Sequence, residues 1–199
     1  MRLVLIGPPH LQRSWQRVFD GTEVAVMRGD LVRSAVGAAW VSPANSFGWM
    51  DAGLDWLIRR AYERSGYDIT AAVQAAIMSE CGGELPVGQA LVVPTPGTPY
   101  THLIVAPTMR TPRPAFWSLN AYLAFRAVLL TTQRWNAAHP DESVDTLYCP
   151  GLATGVGKMP HGRCARQMRE AWDQVMRPSP AMIPPLGVAT IREQILRFR

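Results

Sequence analysis

Six β-prone runs alternate along the chain with stretches of helical period, and each run is cut short by glycine, proline or a small polar residue. The runs are RLVLIG from Arg2, TEVAVMRGD from Thr22, SAVGAAWVSPAN from Ser34, GQALVVPT from Gly88, THLIVAPT from Thr101 and SVDTLYCP from Ser143. Several are apolar almost throughout, which suits strands covered on both faces. Between them lie LQRSWQRVF, with Leu11, Trp15 and Val18 at helical spacing, then Leu54 to about Arg64, Ile69 to about Cys81, Asn120 to about His139 and Gly162 to about Met176. In the Asn120 helix, Leu123, Ala127 and Leu130 form the expected inward stripe. Such alternation predicts an α/β protein with helices on both faces of a mixed, largely parallel sheet.

A chain of 199 residues with 48% hydrophobic and 18% charged residues has enough apolar surface for one core. Residues 1–177 are expected to form that domain; a run of prolines then introduces residues 178–199, a proline-rich linker and a C-terminal helical appendage carrying Ile191, Ile195, Leu196 and Phe198. The net charge of +5 draws anions, but no block of like charges and no nucleic-acid-binding signature accompanies it. Cys81, Cys149 and Cys164 are an odd set without a metal-ligand spacing, so they are read as small buried hydrophobes in a cytoplasmic protein, and no metal is expected. The opening apolar run is too short for a signal-peptide core, and no stretch of about 18 apolar residues occurs, so no membrane contact is expected.

Ligands of open α/β sheets collect beyond the carboxyl ends of strands. Three turns leave a strand with small or polar residues: RGDL at Arg28 to Leu31, SPANSFGWMDAGLD at Ser42 to Asp55, and PGLATGVGKMP at Pro150 to Pro160. In the last, Gly151, Gly155 and Gly157 leave backbone N–H groups open to phosphate oxygens, with Lys158 beside them, although a glycine-rich turn is also a plain turn. Asn45 has an amide that both donates and accepts, as a sugar hydroxyl requires. Asp55 at a helix start either complements the helix dipole or faces a ligand, Asp51 serves equally as an N-cap, and Asp30 is an ordinary helix-start residue taken alone.

In their order, GDL, VSPANSF…GLD and PGLATGVGKMP resemble the hallmark segments of the macrodomain family of ADP-ribose-binding modules, over about Val24 to Met176. GQALVVPTPGTPYTHLIVAPTMR is similar to that family's central pair of strands. The resemblance implies a three-layer α/β/α sandwich with a cleft across the strand ends. It implies that Asp30 accepts from the adenine amine beside the Leu31 N–H, that Ala153, Thr154, Gly155, Val156 and Gly157 wrap a diphosphate, and that Asp51, Ala52 and Gly53 line its other side. Asn45 and Asp55 then stand at the distal ribose as candidate catalytic residues of the mono-ADP-ribosyl hydrolase branch, acting without metal or cofactor on C1″. The alternative is a non-catalytic reader of ADP-ribose. The implied partner is ADP-ribose or an ADP-ribosylated molecule, with nucleic acid entering only as a modified substrate.

The chain departs from the family pattern at three places. Ser42 replaces the first asparagine, Asp51-Ala52-Gly53 replaces a triple glycine, and Gly157-Lys158 replaces an aromatic-glycine pair. Asp51 is therefore expected to point outward, cap a turn or bind ribose hydroxyls, with Lys158 compensating its charge. Trp49 and Met50 are expected to pack on a neighbouring helix, the alternative being cover over the distal ribose.

Overall fold

The structure is a computed structural model that describes residues 1–178, so the expected C-terminal helix lies outside the described residues. The apolar runs become β1 (Arg2–Gly7), β2 (Ala25–Arg28), β3 (Ala39–Ser42), β4 (Leu91–Pro94), β5 (His102–Val105) and β6 (Thr146–Cys149). They form one six-stranded sheet in the order β2-β1-β6-β3-β5-β4. Neighbours are parallel except β4 and β5, whose antiparallel pairing sets Leu91 against Val105 and Pro94 against His102. The two strands that resemble a central pair thus occupy one edge, where the proline of β4 leaves no central ladder short of a donor.

The helices are α1 (Pro9–Val18), α2 (Leu31–Ser34), α3 (Gly53–Glu63), α4 (Ile69–Cys81), α5 (Asn120–Ala138) and α6 (His161–Met176). Their ends follow local chemistry. Proline opens α1 at a position whose N–H has no intrahelical partner anyway. Asp68 caps α4 by accepting the Ala71 N–H at 3.0 Å, and Gly82 ends it with φ of 61°. The single turn α2 was not expected as an element; Asp30 nucleates it by accepting the Val32 N–H at 2.9 Å.

Period-two alternation divides the strand side chains between two cores. Leu3, Leu5, Ala39, Val41, Ile104, Leu147 and Cys149 meet Trp15 of α1, Phe125 and Val128 of α5, and Met168 and Trp172 of α6. Ile6, Trp40, Leu103 and Val105 meet Ile58 and Tyr62 of α3 and Ile69, Val73 and Ile77 of α4. Helices therefore cover both faces, and the run AWVS of β3 is buried at every position. The resulting three layers are the expected α/β/α sandwich. Cys149 and Cys164 are buried as expected, whereas Cys81 is only half-buried.

The stripe expected on α5 is rotated. Its buried face carries Ala121, Ala124, Phe125, Val128 and Thr132 together with the expected Ala127, while Leu123 is 36% exposed and Leu130 only half-buried. This helix packs on α6 as well as on the sheet, and the small residues Ala121 and Ala124 permit the close approach. Leu123 is left at the rim. Phe125→Ala is expected to cost about 3 to 5 kcal/mol in urea unfolding. Leu123→Ala should cost about 1 kcal/mol or less. Equal losses at the two positions would restore the stripe read from spacing.

Candidate functional site

Because β1, β2, β3, β5 and β6 run parallel, their carboxyl ends share one edge of the sheet. The strand ends and the segments that follow them line a single cleft of about 310 Å³: Gly7 closing β1 with Pro8 after it, Gly29 to Leu31 after β2, Pro43 to Asp55 after β3, Thr108 to Pro112 after β5 and Pro150 to Gly157 after β6. Its size falls in the range of small-molecule sites. The cleft brings together every candidate residue: Asp30, Leu31, Asn45, Asp51, Ala52, Gly53, Asp55, Ala153, Thr154, Gly155, Val156 and Gly157 all lie on its wall.

The loop after β3 is held by its own asparagine. Asn45 donates Nδ2 to the Trp49 carbonyl at 2.8 Å and accepts the N–H groups of Phe47 and Trp49 on Oδ1 at 3.1 and 3.3 Å. One amide N–H of Asn45 remains for a ligand. The segment after β5 zips against the same loop, with the Thr108 N–H on Ala44 O at 3.0 Å and the Ser46 N–H on Arg110 O at 3.1 Å. Gly48 is required here, since its φ is +68° and a Cβ would lie 2.8 Å from Val73 of α4.

That approach to α4 separates two neighbours expected to behave alike. Met50 is 2% exposed and packs in the α3–α4 core, whereas Trp49 is 59% exposed and lines the cleft. Packing is thus right for Met50 and wrong for Trp49. The N-cap of α3 is Ala52, with no side-chain cap, so Asp51 does not cap the helix; it is exposed and lines the cleft.

Asp55 sits in the first turn of α3, half-buried. The Ser42 hydroxyl donates to its Oδ1 at 2.6 Å. Burial pushes its carboxyl up from 3.8 to about 6, the Ser42 hydrogen bond opposes the rise and the Asp51 charge adds to it. Near neutral pH it is mostly ionised yet within reach of a proton. Ser42 was seen in the sequence only as a missing asparagine, and no signal in its short apolar run marked it as the partner of Asp55.

The loop after β6 is a turn built around backbone. Ala153 adopts φ of 60° and its carbonyl accepts the Met159 N–H at 3.0 Å. A Cβ on Gly157 would lie 2.4 Å from Ala153 O, so only glycine closes the turn. Ala115 donates to Gly157 O at 2.7 Å and Thr154 Oγ1 to Gly151 O at 3.1 Å. Among the described residues, the N–H groups of Gly155, Val156 and Gly157 donate to no protein acceptor, and Gly155 faces open space. Beneath this loop, burial pushes the Cys164 thiol up to about 12 and raises Cys149, so neither is a nucleophile.

Lys158 is exposed, with φ of 54°, and does not line the cleft. It therefore does not join Asp51 on the cleft wall, as compensation of that charge would require. Among the described residues the wall carries three carboxylates, Asp30, Asp51 and Asp55, and no lysine, arginine or histidine. The described wall thus offers an anion backbone dipoles and no cationic side chain.

The raised Asp55 carboxyl carries a stability cost. The folded state binds its proton more tightly than the unfolded chain, so the contribution is fully present below pH 3.8 and is lost as pH rises through about 6. The loss amounts to about 3 kcal/mol. Asp55→Asn is therefore expected to raise the urea midpoint at pH 7.5 and to leave it nearly unchanged at pH 3.5. Destabilisation at both would contradict the burial of a costly charge.

The Macro domain family model matches residues 41–168. No curated protein matches the chain. Among solved structures, the macrodomain of Mycobacterium tuberculosis DarG superposes with a TM-score of 0.59 at 19% identity, covering 87% of this chain and 92% of that one. The macrodomain of Thermus aquaticus DarG gives 0.57 at 21% identity, covering 73% and 87%. A variant of the Oceanobacillus iheyensis macrodomain with ADPR gives 0.56 at 17% identity, covering 85% and 89%. With the family match spanning more than half its length and the sandwich and strand-end cleft in place, this chain belongs to the Macro domain family.

Proposed function

We propose that the strand-end cleft binds ADP-ribose or a molecule bearing it, and that Asp55 promotes hydrolysis of the bond at C1″ of the distal ribose. The observation that carries the reading is the coincidence in one cleft of the open N–H groups of Gly155, Val156 and Gly157 with the acceptor-only carboxylate of Asp30. Three adjacent amides suit diphosphate oxygens. Asp30 already uses Oδ1 on the Val32 N–H, which leaves Oδ2 for an exocyclic amine. The ligand is further supported by relatives solved with it, the Oceanobacillus iheyensis variant with ADPR and the Thermosipho africanus DarTG in complex with ADP-ribose.

In hydrolysis, a water oxygen bonds to C1″ as the C1″ bond to the leaving group breaks, its electron pair departing with that group. Asp55 takes the proton of the attacking water and returns it to the leaving group. Among the described residues no cationic side chain lines the cleft, and positive charge developing on the ribose is stabilised by the Asp55 carboxylate. The reader alternative draws support from Asn45, whose amide is mostly spent on its own loop. The three unpaired thiols support a cytoplasmic setting.

Titration calorimetry tests the binding half: ADP-ribose is expected to saturate one site, with AMP much weaker. Asp30→Asn keeps the helix cap and loses the acceptor, so affinity should fall about ten- to hundredfold. Asp55→Ala should bind free ADP-ribose nearly as well as the wild type yet release none from an ADP-ribosylated peptide or nucleotide. Wild-type protein that cleaves no adduct supports the reader, and absence of saturable binding ends both readings.

A further inference from the structure

Ser42 is the last residue of β3, at 1% exposure, and a hydroxyl so placed needs a partner. Its hydrogen bond goes to Asp55, thirteen positions later, at 2.6 Å, a length typical of a hydroxyl on a carboxylate. Both ends of this bond are fixed. Ser42 is paired with Val105 in the sheet and its carbonyl accepts the Ala106 N–H at 3.0 Å, while Asp55 belongs to the first turn of α3. The second oxygen of Asp55 takes no protein hydrogen bond among the described residues, and Asp55 lines the cleft.

We infer that Ser42 is a positioning residue, holding the Asp55 carboxylate by one oxygen so that the other is presented to the distal sugar and its water. This rests on the hydrolytic reading above. The serine proton stays on Ser42 throughout; the proton that moves is the water's, to Asp55 and then to the leaving group. Serine in the place of the family pattern's asparagine is then a working substitution, its short hydroxyl sufficing because β3 and α3 bring it within 2.6 Å.

The same hydrogen bond helps the half-buried Asp55 carboxylate stay ionised. Burial and the Asp51 charge both favour the protonated form, and the Ser42 hydrogen bond opposes them. The other charged side chains on the elements packed around α3 are Arg33 on α2 and Glu80 near the end of α4, with Arg59, one turn after Asp55, and Arg60 both paired with Glu63. β3 brings no charge.

Two measurements on Ser42→Ala and Ser42→Thr test this, with Asp55→Asn as control. The first follows the Asp55 carboxyl carbon by NMR across pH. In Ser42→Ala the titration midpoint should rise by at least about half a unit, and Ser42→Thr, which keeps the hydroxyl, should return it toward wild type. The second is the pH profile of adduct cleavage. In Ser42→Ala the acid limb of kcat/KM should move up with that midpoint and kcat fall about tenfold or more, with KM and ADP-ribose affinity within about twofold of wild type. An unmoved midpoint, or threonine behaving as alanine, overturns the inference. A wild type that binds ADP-ribose and cleaves nothing overturns the hydrolytic reading instead, and the midpoint then still decides whether Ser42 holds Asp55.

Discussion

Five parallel strands with both faces covered are the constraint from which the site follows. Parallel pairing puts every carboxyl end at one edge, and a sheet buried on both sides leaves that edge as the place where chain turns remain open. The register is close: Gly7 stands beside Arg28, Leu5 beside Cys149 and Ser42 beside Val105. Five turns that are far apart in sequence therefore meet around one cleft. The antiparallel edge strand β4 contributes nothing to it.

Within that cleft, backbone and side chain divide the work. The loop after β6 is shaped by sterics, with glycine forced at 157 by the Ala153 carbonyl, and its consequence is a row of unspent amides. The loop after β3 is shaped by hydrogen bonds, with Asn45 as its internal brace. Asp55 is the costly member. Its ionised form is disfavoured by burial and by Asp51, and the rest of the fold offsets that penalty.

The fold was legible in the sequence because its signals are local. Uninterrupted apolar runs mark strands buried twice, and Asp68 and Gly82 bracket α4 by capping chemistry readable from residue type. The members of the site were legible because glycine, asparagine and aspartate cluster after those runs. What escaped depends on contacts between distant segments. The face of α5 was set by its packing on α6, Trp49 and Met50 were separated by the approach of Gly48 to Val73, and Lys158 stays off the cleft wall. Ser42 escaped for the same reason: its meaning lies in Asp55, and nothing within β3 announces it.

If the cleft holds an anionic sugar nucleotide, the grip comes from backbone amides of the loop after β6, since no cationic side chain lines the described wall. Amide NMR during titration with ADP-ribose tests it most directly. Saturable shifts are expected, concentrated at Gly155, Val156 and Gly157, with Leu31 and the segment around Gly53 following at the same affinity. Shifts confined to exposed arginine-bearing surfaces, with the amides of 155–157 unmoved, would contradict it.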